Sequence, residues 1–430
     1  MPTKKIYTNT LAQIGAKVIT ALISIAMIKV LTSYLDIAWY GLYSKIYNYL
    51  SIFAVIADLG LYTITVRELS VHAKDEVMVA KIAANILSLR TLSGVIIIVL
   101  SLGIWLWLPG YDSREALIGI TITGLFTLVW LINSSLMSYL QATLRTEFTL
   151  IANTAGKLLT FGMILVFAAF FSTSLHTEKF TLVMLAGLAG NILMTALIWW
   201  YTSKYQKVRF AWDSDYILHI LRISLPYWVA LFLNVIFFKV DTILLSVMSD
   251  PSIADTVVAL YALPMKIVEV GMMYGTVFLN SVLPVLTTLF AEREWEKARK
   301  LIRHAALLMF AWWLAASLSL YFGAETIIRT ISTDAFAHTV VAGGTAVEAL
   351  RIVGWIFFVY SLSSLSTYIL IAKHEQKKML SINLVVALIN IIGNILVIPY
   401  YNFIGSAWVT LASQIILLIL TTWTVRKMIR

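Results

Sequence analysis

Eight of the chain's 32 lysines and arginines fall inside stretches long and apolar enough to cross a membrane: Lys17, Lys29, Lys45, Arg90, Lys157, Lys239, Lys266 and Arg351. A cation near the bilayer centre costs at least ~2.5 kcal/mol on insertion scales, so such residues usually face a bundle interior or wet cavity and often mark a substrate pathway. Four carboxylates share that depth: Asp58, Asp241, Glu269 and Glu348. The interior is therefore cationic on balance, which points to an anionic passenger.

Spacing sorts these residues. In the first apolar stretch Asn9, Gln13, Lys17, Thr20 and Ser24 recur every three or four positions, which places them on one helical stripe. Such a stripe either lines a cavity or bonds to neighbouring helices; Lys17 at its middle favours the cavity. Asn153, Lys157 and Thr160 repeat the pattern in the fifth stretch, and Arg90 lies among Ser88, Thr91 and Ser93 in the third. In the second half Lys239 and Asp241 are too close in sequence to face each other, whereas Lys266 and Glu269 are one turn apart and can neutralise one another. Glu348 and Arg351 share that spacing near a helix end, where they can pair or reach the interface, as can Lys29. Lys17, Arg90 and Lys157, with Lys45 and Lys239, are left as a cluster that no nearby acid obviously neutralises. Asn383, Asn390 and Asn394 form another stripe, read as pathway or as interhelical glue. Pro264 and Pro284, with Gly271 and Gly275 between them, mark one long stretch as a hinge or as a packing device.

The elements carrying these residues are membrane helices. The chain is 60% hydrophobic and 13% charged over 430 residues, against about half and a quarter for soluble domains. About 20 apolar residues span a bilayer, and twelve segments qualify: 10–31, 40–62, 82–108, 116–140, 150–171, 180–201, 225–248, 257–288, 303–323, 342–372, 380–400 and 404–424. The first follows a basic flank but is long, contains Gln13 and Lys17 and lacks a small-residue cleavage pattern, so it reads as a retained helix rather than a signal peptide. With the amino terminus inside, inner loops and tails hold 21 Lys and Arg and outer loops hold three, Arg114, Lys179 and Arg329. That bias puts both termini in the cytoplasm of a multi-pass inner-membrane protein.

The expected fold is all-α, with two six-helix lobes related by pseudo-twofold symmetry: 1–202, a cytoplasmic interfacial linker 203–224, and 225–430. Residues Tyr216, Ile217, Ile220 and Leu221 in the linker suggest an amphipathic helix at the inner interface.

Several chemistries are excluded. Without cysteine there are no disulfides, thiol nucleophiles or thiolate metal sites, and the six histidines show no ligand spacing. The net charge of +10 is spread through loops, so it reflects membrane orientation rather than nucleic-acid binding. No triad, phosphate-cradling loop or paired acid stands out, no cofactor is implied, and the connections are too short for an extramembranous catalytic domain. Without a nucleotide site, uphill work requires an ion gradient, a partner ATPase or downstream consumption. Asp58, Asp241 and Glu269 are the acids available for ion coupling or gating.

Four stretches then resemble the polysaccharide transporters of the MATE and MurJ superfamily, in particular the O-antigen flippase-like branch. They are YGLYSKIYNYL (Tyr40 to Leu50), IADLGLYTITVREL (Ile56 to Leu69), SLPYWVALFLNVIFFKVDTILL (Ser224 to Leu245) and NIIGNILVIPYYNFIGSAWVTLAS (Asn390 to Ser413). The resemblance implies two six-helix lobes around a cationic cavity that move an isoprenoid diphosphate-linked oligosaccharide to the outer leaflet by alternating access. Positive residues would engage sugar or diphosphate, and by chemistry and depth these are Lys17, Lys45, Arg90, Lys157, Lys239 and Lys266. Expected partners are the lipid-linked anionic oligosaccharide, membrane lipids and glycan-synthesis proteins. Twelve helices rather than fourteen set the chain apart from the lipid II flippase branch.

Two other readings stand beside this one. The chain could be an ion-coupled exporter of small organic molecules, or a membrane glycan polymerase or ligase. An enzyme of the latter kind would be expected to place chemistry in a sizeable outer loop, and the largest offers Glu325, Arg329, Asp334 and His338.

Overall fold

The computed structural model describes residues 20, 22–173, 175–373 and 375–429, and within them the chain is helical with no strand beyond a single Val341–Gly344 bridge. In order the helices are α1 (Leu22–Tyr34), α2 (Ile37–Asp58), α3 (Leu61–Val71), α4 (Glu76–Trp105), α5 (Arg114–Ala142), α6 (Thr146–Phe170), α7 (His176–Ser203), α8 (Ser214–Met248), α9 (Ala254–Ala291), α10 (Trp295–Phe322), α11 (Ala324–Ile331), α12 (Asp334–His338), α13 (Ala346–Ala372) and α14 (Gln376–Ile429). Helices α2 and α3 make one pass, broken where Leu59 and Gly60 turn left-handed at φ 52° and 67°. Helix α14 makes two, divided at Asn402 (φ 47°, ψ −136°). Among the described residues nine helices are long and apolar enough to cross a membrane, and with the shorter described length of α1, with α9 and with the two halves of α14 taken separately they correspond to the expected twelve passes.

Local chemistry sets the helix ends. The side chains of Asp36, Asp75 and Ser113 accept hydrogen bonds from the amides of Trp39, Met78 and Ala116, at 2.9, 3.0 and 3.1 Å, and so start α2, α4 and α5. Glu348, one of the membrane-depth acids, closes a capping box with Thr345 at the start of α13. Helices α5, α9 and α13 end alike. In each, the amide five residues along returns to a leucine carbonyl: Arg145 to Leu140 (2.8 Å), Glu294 to Leu289 (2.9 Å) and Glu375 to Leu370 (2.9 Å). Each turn begins Leu-x-Ala, and Leu144 and Arg293 take the left-handed position at φ 56° and 58°.

The chain divides into two compact units, Met1–Val235 and Ile236–Arg430. The division falls inside α8, beyond the linker expected at 203–224, because the linker belongs to the first unit. Asp213 pairs with Lys81 (2.6 Å) and its amide donates to Asn85 Oδ1 (2.6 Å), while the Ala211 amide donates to Ser88 Oγ (3.0 Å). Lys81, Asn85 and Ser88 form one stripe along α4. The amphipathic run is not a separate interfacial helix but the first turns of α8. Its Ile217 and Ile220 are buried with Ile82, Ile86, Leu89, Leu136 and Leu140. Gly60 lets α8 approach closely: a Cβ there would lie 2.8 Å from the Trp228 amide nitrogen. Between α6 and α7, a Cβ on Gly190 would lie 2.5 Å from the Gly156 carbonyl oxygen, so these helices touch backbone to backbone.

In the second unit α9 continues through both Pro264 and Pro284. Gly271 and Gly275 accept the Phe357 and Trp313 rings, so the small residues serve packing.

Candidate functional site

In the first unit one membrane cation is spent on the unit's membrane-depth acid. Arg90 on α4 donates to Asp58 Oδ1 at the end of α2 (2.5 Å) and to Ser134 Oγ on α5 (2.9 Å). The two charged side chains are 0% and 8% exposed, so the pair is sealed within the unit. Arg90 was expected among cations that no acid neutralises, and Asp58 among the coupling acids; the pairing corrects the first and occupies the second. Lys45 is also turned inward. Its ammonium donates to the Gly110 carbonyl and lies 4.7 Å from the Tyr111 ring centroid.

Lys157 is different: it is exposed on α6, with its Nζ 3.2 Å from Ser24 Oγ on α1. Ser24 in turn donates to the Thr20 carbonyl (2.8 Å). The described end of the α1 stripe thus faces the α6 stripe. Lys17, with Asn9 and Gln13, lies outside the described residues. Thr160 turns from Lys157 toward α7, where its hydroxyl reaches the Ala186 carbonyl at 3.3 Å.

In the second unit Glu269 on α9 receives two lysines. Lys239 Nζ lies 2.5 Å from Oε1, and Lys266 Nζ 3.4 Å from Oε2. The i,i+3 pair is present, but the tighter partner is Lys239 from α8, so Lys239 is not the unneutralised cation expected. Two ammonium groups share one carboxylate, leaving one positive charge in a half-buried site.

Asp241, two residues along α8, points elsewhere. Fully buried, it accepts hydrogen bonds from the hydroxyls of Tyr261 on α9 and of Thr410 on α14, the latter at 2.9 Å. Its other oxygen, Oδ1, accepts none from a described residue. Thr410 also donates to the Ser406 carbonyl (2.9 Å), and the Ser406 hydroxyl bonds Asn394 Oδ1. Asn394 Nδ2 donates to the Asn390 carbonyl (2.9 Å). A single carboxylate therefore sits at one end of a buried chain of hydroxyls and amides. A buried carboxylate that no described cation contacts needs a proton or bound cation for its charge.

Tyr261, Ser406 and Thr410 were not among the expected site residues. Ser406, Thr410 and Ser413 lie four and three residues apart, the same stripe spacing that singled out the first helix. The Asn390–Asn394 stripe serves as glue within this network. Glu348 caps α13 rather than reaching Arg351. In the Gly323–Val341 connection, Arg329 gathers Glu325 (3.1 Å), Asp334 (3.4 Å) and His338 (2.5 Å).

The sequence profile of the polysaccharide biosynthesis protein family matches residues 6–290, and that of the MatE family matches residues 226–396. No curated protein matches the chain. Among solved structures, an inward-facing multidrug-resistance MATE transporter of the MOP superfamily superposes with a TM-score of 0.76 at 14% identity, over 95% of this chain and 98% of that one. The lipid II flippase MurJ, in an inward closed conformation, gives 0.70 at 17% identity, over 97% and 87%. A MOP-superfamily transporter from Pyrococcus furiosus, described as having a binding pocket of reversed polarity, gives 0.66 at 15%, over 96% and 93%. These likenesses establish the fold, and the first profile spans well over half of the sequence: the chain belongs to the polysaccharide biosynthesis protein family and has the MATE and MurJ fold of the MOP superfamily.

Proposed function

We propose that the protein moves an isoprenoid diphosphate-linked oligosaccharide across the cytoplasmic membrane by alternating access, supplying cell-surface polysaccharide synthesis. The polysaccharide-biosynthesis profile over residues 6–290 carries this reading, because it covers the first unit from residue 6 onward, where Lys157 presents an exposed ammonium at membrane depth. Lys157 and Lys17 are the proposed contacts to the diphosphate or acidic sugar, with the doubly lysinated Glu269 site contributing one further positive charge. Asp241 is the proposed coupling residue, since a proton or monovalent cation bound there would balance a carboxylate held only by hydroxyls. The basic bias of the loops supports cytoplasmic termini. On this reading the protein does no covalent chemistry, and glycan-synthesis enzymes act before and after it.

Lys157→Ala should abolish surface glycan while the protein remains in the membrane at its normal level. Normal glycan in that variant would remove Lys157 from the pathway. A second reading, export of small organic molecules, is favoured by the MatE profile over 226–396 and by the MATE superposition. A deletion strain decides between them: lost surface polysaccharide supports the flippase, whereas drug sensitivity with intact polysaccharide supports the exporter.

A further inference from the structure

One face of the first unit carries cations held on aromatic rings instead of on acids. Past the end of α7, the Lys204 ammonium lies 3.3 Å from the Trp200 ring centroid and 5.6 Å from that of Tyr201. The Arg145 guanidinium, in the α5–α6 turn, lies 3.3 Å over Tyr205. Phe148 stacks on Tyr201 with centroids 4.4 Å apart and reaches Tyr205 at 6.2 Å, so the rings form one floor. Lys207 and Arg209 follow along the linker, exposed and alternating with exposed Tyr205, Phe210 and Trp212. None of the four cations forms an ion pair with a described residue.

The cluster is held at both ends. Tyr205 continues α7 through a 3.0 Å bond to the Thr202 carbonyl, and Ala211 and Asp213 are fastened to α4. The approach along α7 is apolar and exposed, through Ile192, Trp199 and Trp200. In the second unit Lys373 donates to the Met428 carbonyl (2.8 Å) between Phe290 and Trp295, nearby Lys378 and Lys297 pair with Glu375 and Glu294, and Lys427, without an ion pair among the described residues, lies over Trp423 at 3.6 Å.

Exposed tryptophan and tyrosine beside unpaired lysine and arginine, at the end of a lipid-facing helix, match the interfacial depth of a bilayer. Cations there attract anionic lipid at about 1 kcal/mol each. We propose that Arg145, Lys204, Lys207 and Arg209 form a docking site for the phosphate headgroup of an anionic phospholipid, which anchors the strap between α7 and α8 to the leaflet. The acyl chains would lie along Trp199 and Ile192 while the phosphate meets the ammonium groups over the aromatic floor. This inference concerns the lipid-facing side and stands whether the passenger is a glycan lipid or a small molecule.

The test uses purified full-length protein in mixed micelles of phosphatidylglycerol or phosphatidylcholine, reading the thermal unfolding midpoint against lipid concentration. Phosphatidylglycerol should stabilise the wild type more than phosphatidylcholine does. The triple variant K204Q/K207Q/R209Q should require on the order of 100-fold more phosphatidylglycerol for the same shift. The double variant K204R/K207R should keep the wild-type response, and K297Q/K378Q, which removes paired lysines, should keep it too. Matching midpoints of wild type and triple variant in phosphatidylcholine show that the triple variant folds. An unchanged phosphatidylglycerol response in the triple variant would overturn the proposal. So would stabilisation by a polyprenyl diphosphate with none by phosphatidylglycerol, which would assign the cluster to the passenger.

Discussion

Asp58 and Asp241 are both carboxylates buried at membrane depth, and the two units treat them in opposite ways. Asp58 meets a fully buried arginine at 2.5 Å, and Ser134 takes another guanidinium nitrogen. Asp241 meets two hydroxyls, and one of its oxygens is unbonded among the described residues. In the first arrangement each charge already has its counter-charge. The second is open to a proton or cation. On the proposed reading, the coupling acid is marked not by burial, which both share, but by how its charge is balanced.

The largest effect should come from breaking the closed pair. Removing one member of a buried ion pair typically costs about 3–5 kcal/mol, so Arg90→Leu or Asp58→Asn should sharply lower the unfolding midpoint and the yield of monodisperse protein. Asp58→Asn combined with Arg90→Met should recover most of the loss. Wild-type midpoints in the single variants would return Arg90 to the pool of cations available to the passenger. Asp241→Asn should behave oppositely. It keeps the hydrogen-bonding shape and removes a charge lacking a counter-charge, so the midpoint should stay within about 1 kcal/mol of wild type while transport falls at least about tenfold. If Asp241→Asn transports normally, the contrast between the units is structural only.

Two smaller effects probe features that flank the charges. Leu144 and Arg293 hold equivalent left-handed positions in the two units, at φ 56° and 58°. Replacing either with glycine should raise the unfolding midpoint by the equivalent of about 1 kcal/mol or less, because a Cβ is disfavoured there. Unequal gains would show that the two turns are not the same device. The smallest effect concerns the strap. The carboxyl of Asp213 is held below the usual aspartate range, first by its hydrogen bond with Lys81 and then by the Tyr216 amide. A depressed folded value means the contribution is complete above the unfolded pKa of about 3.9 and is lost as pH falls through the folded value. The difference in midpoint between wild type and Asp213→Asn should therefore be constant from about pH 5 to 8 and shrink only below about pH 4. A difference that changes near neutral pH would place another titrating group at the strap.

The passes were legible in the sequence because length and apolarity define them directly, and the Lys266–Glu269 contact was legible because both residues sit on one helix a turn apart. Arg90 and Asp58 lie 32 residues apart on different helices, and Lys239 and Glu269 lie 30 apart. No periodicity within a helix reports which neighbour a side chain meets. Thr410, 169 residues from Asp241, is further still beyond local reading. The linker was visible as polar, but its attachment to the first unit depends on the Lys81, Asn85 and Ser88 stripe. That stripe gains meaning only once Asp213 is seen against it. The repeated Leu-x-Ala turns were present in the sequence and pass unnoticed when only charge and hydropathy are followed.

The central claim is tested most directly in proteoliposomes containing a fluorescent isoprenoid diphosphate-linked oligosaccharide, by following how much of it an added membrane-impermeant quencher reaches over time. Wild-type protein should move the lipid between leaflets faster than protein-free liposomes, and Asp241→Asn, folded and inserted, should not. Equal rates for wild type and protein-free liposomes across proton and sodium gradients of either direction would contradict the assignment as a lipid-linked oligosaccharide flippase.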